Sequence, residues 1–211
     1  MVYEVGGRLL KEYDDEGYNR AFNQGFTGFP EDVGFNNGLS TPQPDFVEGL
    51  EMLEYYPFAV DEYVKGGVLY KDNLSSLTLP HLAGEWKGPS RNVNGATLQS
   101  GYTGAVLVYA RNQSLSLIGK PDPPGHAEVT TFTTDGTILN FYAHYAAPSV
   151  DGTVEYHQYQ YASANVRNSY QGHKNGRKGL RNAQDRARKL SYDQRDKLQE
   201  YWNQTRRCGA L

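Results

Sequence analysis

The spacing of apolar and polar residues changes rhythm several times along the 211-residue chain. Residues 8–24 (RLLKEYDDEGYNRAFNQ) carry a pattern that allows a helix, weakened by Gly17. Residues 25–44 have no period and are punctuated by Gly, Pro and Asn-Asn-Gly, as a loop is. PDFVEGL, from Pro44 to Leu50, reads as a short strand entered through a proline, where a missing N–H is tolerated. Tyr55 to Val64 is aromatic, interrupted by Pro57, and ambiguous. Leu79 to Lys87 (LPHLAGEWK) predicts a strand starting near His81.

Asn94 to Asn112 has the length and small-residue content of a buried helix, and Gly101 and Gly104 would let it pack closely on a sheet. A β-rich stretch follows, in which HAEVTTFTT, TILNFYAHY and TVEYHQYQYA are separated by Asp135-Gly136 and Asp151-Gly152. Asp-Gly between such runs is a hairpin signal. Alternation from Thr137 to His144 predicts one buried and one wet face. Leu180, Ala183, Ala187 and Leu190 then form a narrow apolar helical stripe. Arg177, Arg181, Asp185 and Lys189 lie four apart beside it, where Asp185 can bridge its basic neighbours. Ser191 is placed to cap a further helix, Tyr192 to Gln204. The whole reads as one α/β or α+β domain over residues 1–211, with a core at about 40–165 and a basic helical extension at about 166–205.

Composition sharpens this outline. The lone cysteine, Cys208, excludes an internal disulfide framework, no Cys/His group has zinc spacing, and an intracellular compartment is favoured. No run approaches the ~18 apolar residues of a membrane span and no signal peptide is visible, so a soluble chain without a membrane partner is expected. Charge is split: from Asn165 onward there are twelve Lys/Arg and four Asp/Glu, a balance of +8, leaving −11 on residues 1–164. Such a split suits a polyanion contact by the tail, and suits equally a basic helix packed on an acidic body. The dispersed basic run from Arg177 to Lys189 is also a candidate nuclear address.

Candidate chemistry centres on Asp45, Glu85 and Lys87. Glu85 and Lys87 are two apart on a predicted strand, so they leave the same face while Trp86 points into the opposite layer. Charges so spaced in an otherwise apolar strand call for a polar cleft or a metal. Asp45 can join them only if its strand neighbours theirs.

Pro44-Asp45 followed forty residues later by Glu85-Trp86-Lys87 resembles the PD-(D/E)XK pattern of restriction-endonuclease-like nucleases. Gln99 and Tyr102 on the next helix resemble the Gln…Tyr motif of the RecB-like branch, with a spacing of three rather than four. Tyr170 to Leu198 resembles the end of a family of fungal nuclease-like domains. The resemblance implies a mixed central β-sheet flanked by helices, with a helical C-terminal extension. It implies a nuclease hydrolysing phosphodiester bonds in DNA, with Mg²⁺ or Mn²⁺ held by Asp45, Glu85 and the Trp86 carbonyl. Lys87 would assist the attacking water and Gln99 would be an accessory catalytic group. Glu12 and Glu16 are candidates for an additional acid, with nothing to choose between them. Arg177, Lys178, Arg181, Arg188 and Lys189 would grip nucleic acid, and relatives that dimerise make a homodimer an expectation by analogy. The competing expectation is a catalytically inactive nuclease-like module of a larger fungal protein that binds nucleic acid or protein, and a toxin or effector role is a third.

The remaining polar residues have plainer readings. His126, His144 and His157 read as surface or hairpin histidines rather than ligands. His81 shares a strand face with Glu85. Nothing beside Cys208 argues for a catalytic thiol.

Overall fold

The computed structural model describes residues 9–70, 73–88 and 93–207; Cys208 lies outside them. The chain is α+β. Its strands are β1 (Tyr18–Phe22), β2 (Phe46–Glu51), β3 (Leu77–Trp86), β4 (Val129–Thr134), β5 (Ile138–Pro148) and β6 (Val154–Asn165). They form one mixed sheet in the order β1-β2-β3-β4-β5-β6. Every neighbouring pair is antiparallel except β3 and β4, which run parallel. The helices are the short α1 (Val60–Tyr63), α2 (Val93–Leu117) and α3 (Tyr170–Arg207). No helix among the described residues is long and apolar enough to cross a membrane.

The parallel pair explains the layering. Two parallel neighbours need a long crossover, and α2 supplies it across one face of the sheet. α3 covers the other. Leu82 and Trp86 pack with Phe46 and Phe132 against Leu180, Ala183 and Ala187 of α3. Val47 and Ala83 pack with Val106 and Leu107 of α2. All ten residues of β3 are buried, which is why its sequence does not alternate.

Two glycines permit this closeness. A Cβ on Gly104 of α2 would stand 2.1 Å from Nδ1 of His144, and one on Gly84 would stand 2.3 Å from the Phe132 ring. His144 is therefore not the surface histidine expected from the alternation of β5. β5 keeps an unbroken register with β4, but the face expected to be wet is covered by α2, and His144 is 2% exposed beneath that helix. Its Nε2 meets Thr131 Oγ1 at 2.7 Å, and burial pushes its pKa down to about 3, so the ring is neutral.

Three other expectations change. Residues 11–17 carry no helix; Gly17 turns the chain at φ 76° and β1 then pairs with β2 at the sheet edge. The helix predicted to restart at Ser191 is a single element of 38 residues. Ser191 is fully buried within it and faces Nδ1 of His81 at 3.3 Å, so its hydroxyl serves a tertiary contact rather than a cap. Asp185 bonds Lys11 and Tyr13 rather than Arg181 and Lys189. Both Asp-Gly turns are present, with Gly136 and Gly152 each at φ 85°.

Gly104→Ala should lower the unfolding free energy by about 1–3 kcal/mol, because overpacking against His144 outweighs the helix-propensity gain of alanine. Urea denaturation of the two proteins checks this.

Candidate active site

Asp45 stands one residue before β2, and the register pairing Phe46 with Gly84 sets it opposite Glu85 on the neighbouring antiparallel strand. Asp45 Oδ2 accepts the Trp86 N–H at 2.7 Å, which closes the end of the β2–β3 ladder with a side chain. The condition for a joint site is therefore met: the strands are neighbours and the two carboxylates share one end of them.

Glu85 is 2% exposed. Its Oε1 accepts the hydroxyl of Thr103 on α2 at 3.2 Å. Burial, and then the negative charge of Asp45, push its pKa up to about 7, while Thr103 and Lys87 act the other way. A backbone hydrogen bond from Asp45 ties the Glu85 carboxylate to the start of β2 as well. Glu85, Gln99, Tyr102 and Thr103 line a cleft of about 260 Å³ with Ser40 and Gln43 of the loop before β2. Gln99 is exposed at its rim, and Tyr102, three residues on, reaches the same cleft. Trp86 turns away into the α3 layer beside Phe22, Phe46 and Phe132, as strand alternation requires. Lys87 is half-buried on the β4 side of Glu85, its N–H bonded to the Thr134 carbonyl at 3.0 Å.

No three His, Cys, Asp or Glu side chains come together as a metal cluster among the described residues. Two adjacent carboxylates, completed by a carbonyl and water, are nonetheless a donor set suited to Mg²⁺, which keeps much of its water. Zinc sites add His or Cys ligands, and none joins this pair in a group of three among the described residues.

Other candidates fall elsewhere. His81 is buried where α2 and α3 converge, its Nε2 at 2.9 Å from Arg111 Nη1. Because guanidinium only donates, Nε2 accepts and Nδ1 carries the proton toward Ser191. Burial and the Arg111 cation hold its pKa well below the ordinary value. Glu12 pairs with Arg20 at 3.1 Å and lines a separate pocket beside Glu48. Glu16 is exposed, and no contact among the described residues joins it to Asp45 or Glu85.

The basic helix also stands apart, since α3 covers the face opposite Glu85. Arg181 donates to the carbonyls of Leu9 and Leu10 at 3.3 Å, and Arg188 pairs with Asp15, one contact being 2.6 Å. Arg177, Lys178 and Lys189 are exposed. Much of the tail's charge therefore packs on the acidic body: Arg186 also pairs with Glu128, and Arg195 with Glu54.

Thr103 and Glu48 escaped the reading of the sequence. Thr103 was detectable, since it lies four residues after Gln99 and so on the same helical face. Glu48 had no such signal. It is fully buried beneath α3, its Oε2 accepting from Gln184 Nε2 at 2.9 Å. Burial pushes its pKa up to about 7 against the opposing effects of Gln184, Arg20 and the Tyr18 hydroxyl beside it.

Compared with protein-family models, curated proteins and solved structures, the chain matches none.

Glu48 and Glu85 each hold a proton more tightly folded than unfolded. The resulting stability is complete below the ordinary glutamate value of 4.5 and is lost as pH rises through about 7. Glu48→Gln should therefore reduce the fall in unfolding free energy between ~pH 6 and ~pH 8 by about 1 kcal/mol. Urea melts at the two pH values measure it.

Proposed function

We propose that the chain is a Mg²⁺- or Mn²⁺-dependent nuclease of the PD-(D/E)XK type, acting on DNA. The observation that carries this reading is the pairing of Asp45 with Glu85 at one end of neighbouring strands, with Lys87 close enough for its charge to act on Glu85. Topology supports it, since an antiparallel β1-β2-β3 meander leads through α2 to a parallel β4, an order that suits a restriction-endonuclease-like core.

Asp45 and Glu85 would hold the ion, with the Trp86 carbonyl as a third protein contact. Such an ion supplies charge neutralisation at the phosphate and acidifies the attacking water. Lys87 orients that water, whose oxygen bonds to phosphorus as the bond to the leaving oxygen breaks. The water's proton passes to solvent, and the leaving oxygen takes one up. Gln99, at the cleft rim, would contact the phosphate. Nucleic-acid binding by the tail falls to the exposed Arg177, Lys178 and Lys189. From the opposite face they would hold flanking backbone rather than the scissile phosphate, which predicts salt-sensitive, sequence-tolerant binding.

One observation favours the second reading, a nuclease-like module without catalysis. Glu85 has a pKa of about 7 and no third acidic partner among the described residues, so it has to give up a proton before it can bind a cation.

Asp45→Ala and Lys87→Ala should each lower cleavage of an oligonucleotide duplex by roughly 10²-fold or more in Mg²⁺ or Mn²⁺. Calorimetric titration should show metal binding that Asp45→Ala abolishes. A folded protein that binds neither ion and cuts nothing sinks the catalytic reading and leaves the second.

A further inference from the structure

The cleft beside Glu85 does not end at Tyr102. An open groove of about 650 Å³ lies between α2 and the edge strand β6, and Tyr102 lines both the groove and the cleft. The loop before β2 also serves both, since Ser40 and Gln43 border the cleft and Phe35 borders the groove. Gly101 keeps the α2 wall low: a Cβ there would stand 2.7 Å from Gln158 Oε1 of β6 and crowd the gap. The groove is thus a continuation of the cleft away from the two carboxylates.

Its lining is aromatic and apolar. The Phe35 ring lies 4.8 Å from that of Tyr156, tilted by 52°, and meets Tyr102 edge-on at 6.3 Å. These three rings brace one another, yet each is only half-buried. Leu98 adds an apolar rim and is 77% exposed, an unusual place for a leucine unless something covers it. No Lys or Arg borders the groove; the charged groups that do are Glu155 and its neighbour His157, 3.6 Å apart. A phosphate would be repelled by Glu155, whereas a flat uncharged heterocycle would find ring faces to stack on.

We infer that the groove is a base-stacking subsite, which holds an unpaired nucleobase next to the phosphate that the cleft takes. The substrate class is then single-stranded DNA or a duplex with an unpaired end. The inference rests on the nuclease reading, which puts nucleic acid in the cleft. Paired bases stack on one another and show only their edges in the grooves, so these rings are open only to a base outside the helix. Base and phosphate part at Tyr102, the residue that borders both spaces.

The test is binding measured by fluorescence anisotropy in EDTA, where cleavage plays no part. The probes are a labelled single-stranded oligonucleotide, the same sequence as a duplex, and the single strand with abasic sites through its middle. Wild type should bind the single strand about fivefold or more tighter than the duplex and lose that margin on the abasic strand. Tyr156→Leu should weaken single-strand binding by about fivefold or more and leave duplex binding within about twofold, while Tyr156→Phe keeps the ring and the affinity. Leu98→Glu, at a position too exposed to upset folding, should weaken single-strand binding likewise by carrying a like charge into the groove. Equal affinity for all three probes overturns the inference, as does no binding of the single strand. So does wild-type single-strand binding in both Tyr156→Leu and Leu98→Glu. Metal-dependent cleavage alongside any of those results leaves the nuclease reading standing without the subsite. Base-dependent binding by a protein that cuts neither strand nor duplex in Mg²⁺ or Mn²⁺ supports the subsite and fails the nuclease reading.

Discussion

The parallel pairing of β3 with β4 is the constraint on which the rest of the molecule depends. A turn cannot join parallel neighbours, so the chain must leave the sheet and return across it, and α2 is that return. With α2 on one face, β3 becomes a strand without a wet side once α3 closes the other, and all ten of its residues are buried. Any charge on β3 then has to be met by the structure. Glu85 is met by Thr103, by the ladder end that Asp45 completes, and by Lys87 one residue past the strand.

This also explains why the two most perturbed carboxyl groups differ in kind. Glu48 and Glu85 are on neighbouring strands and both are raised to about 7 by burial. Glu48 faces α3, where Gln184 engages it from inside the packed layer. Glu85 faces α2 and borders a cleft that reaches the loop before β2. Burial alone does not separate a structural acid from a chemical one; what lies on the open side of the carboxyl does.

Much of the frame was legible in the residues themselves. The small-residue helix after β3, the two Asp-Gly hairpins and the co-facial Glu85 and Lys87 follow from period and turn chemistry acting locally. The partnership of Asp45 with Glu85 was legible only as a condition, since register is a property of two strands forty residues apart. The failures share a cause. His144 was placed at the surface because the alternation of β5 does not tell that a helix from elsewhere in the chain covers its second face. Ser191 was read as a cap because a buried serine and a capping serine look alike until His81 is brought beside one of them. The charge split left the tail's place open between a polyanion contact and packing on the acidic body, because charge counts carry no information on which face of the sheet a helix will cover.

The underside of α3 has a consequence of its own. Its buried face is not uniformly apolar: Gln184 and Gln194 are almost fully enclosed, and each has a specific counterpart, Glu48 for the first and Arg111 with Ser114 for the second. A greasy stripe of leucines and alanines could slide by a turn and still bury the same area. These amides could not, because a shift of one turn would strand both of them and both of their partners in a dry layer. The long helix is thus keyed as well as glued: hydrophobic contact holds it on the sheet, and two amides determine the one alignment in which it locks.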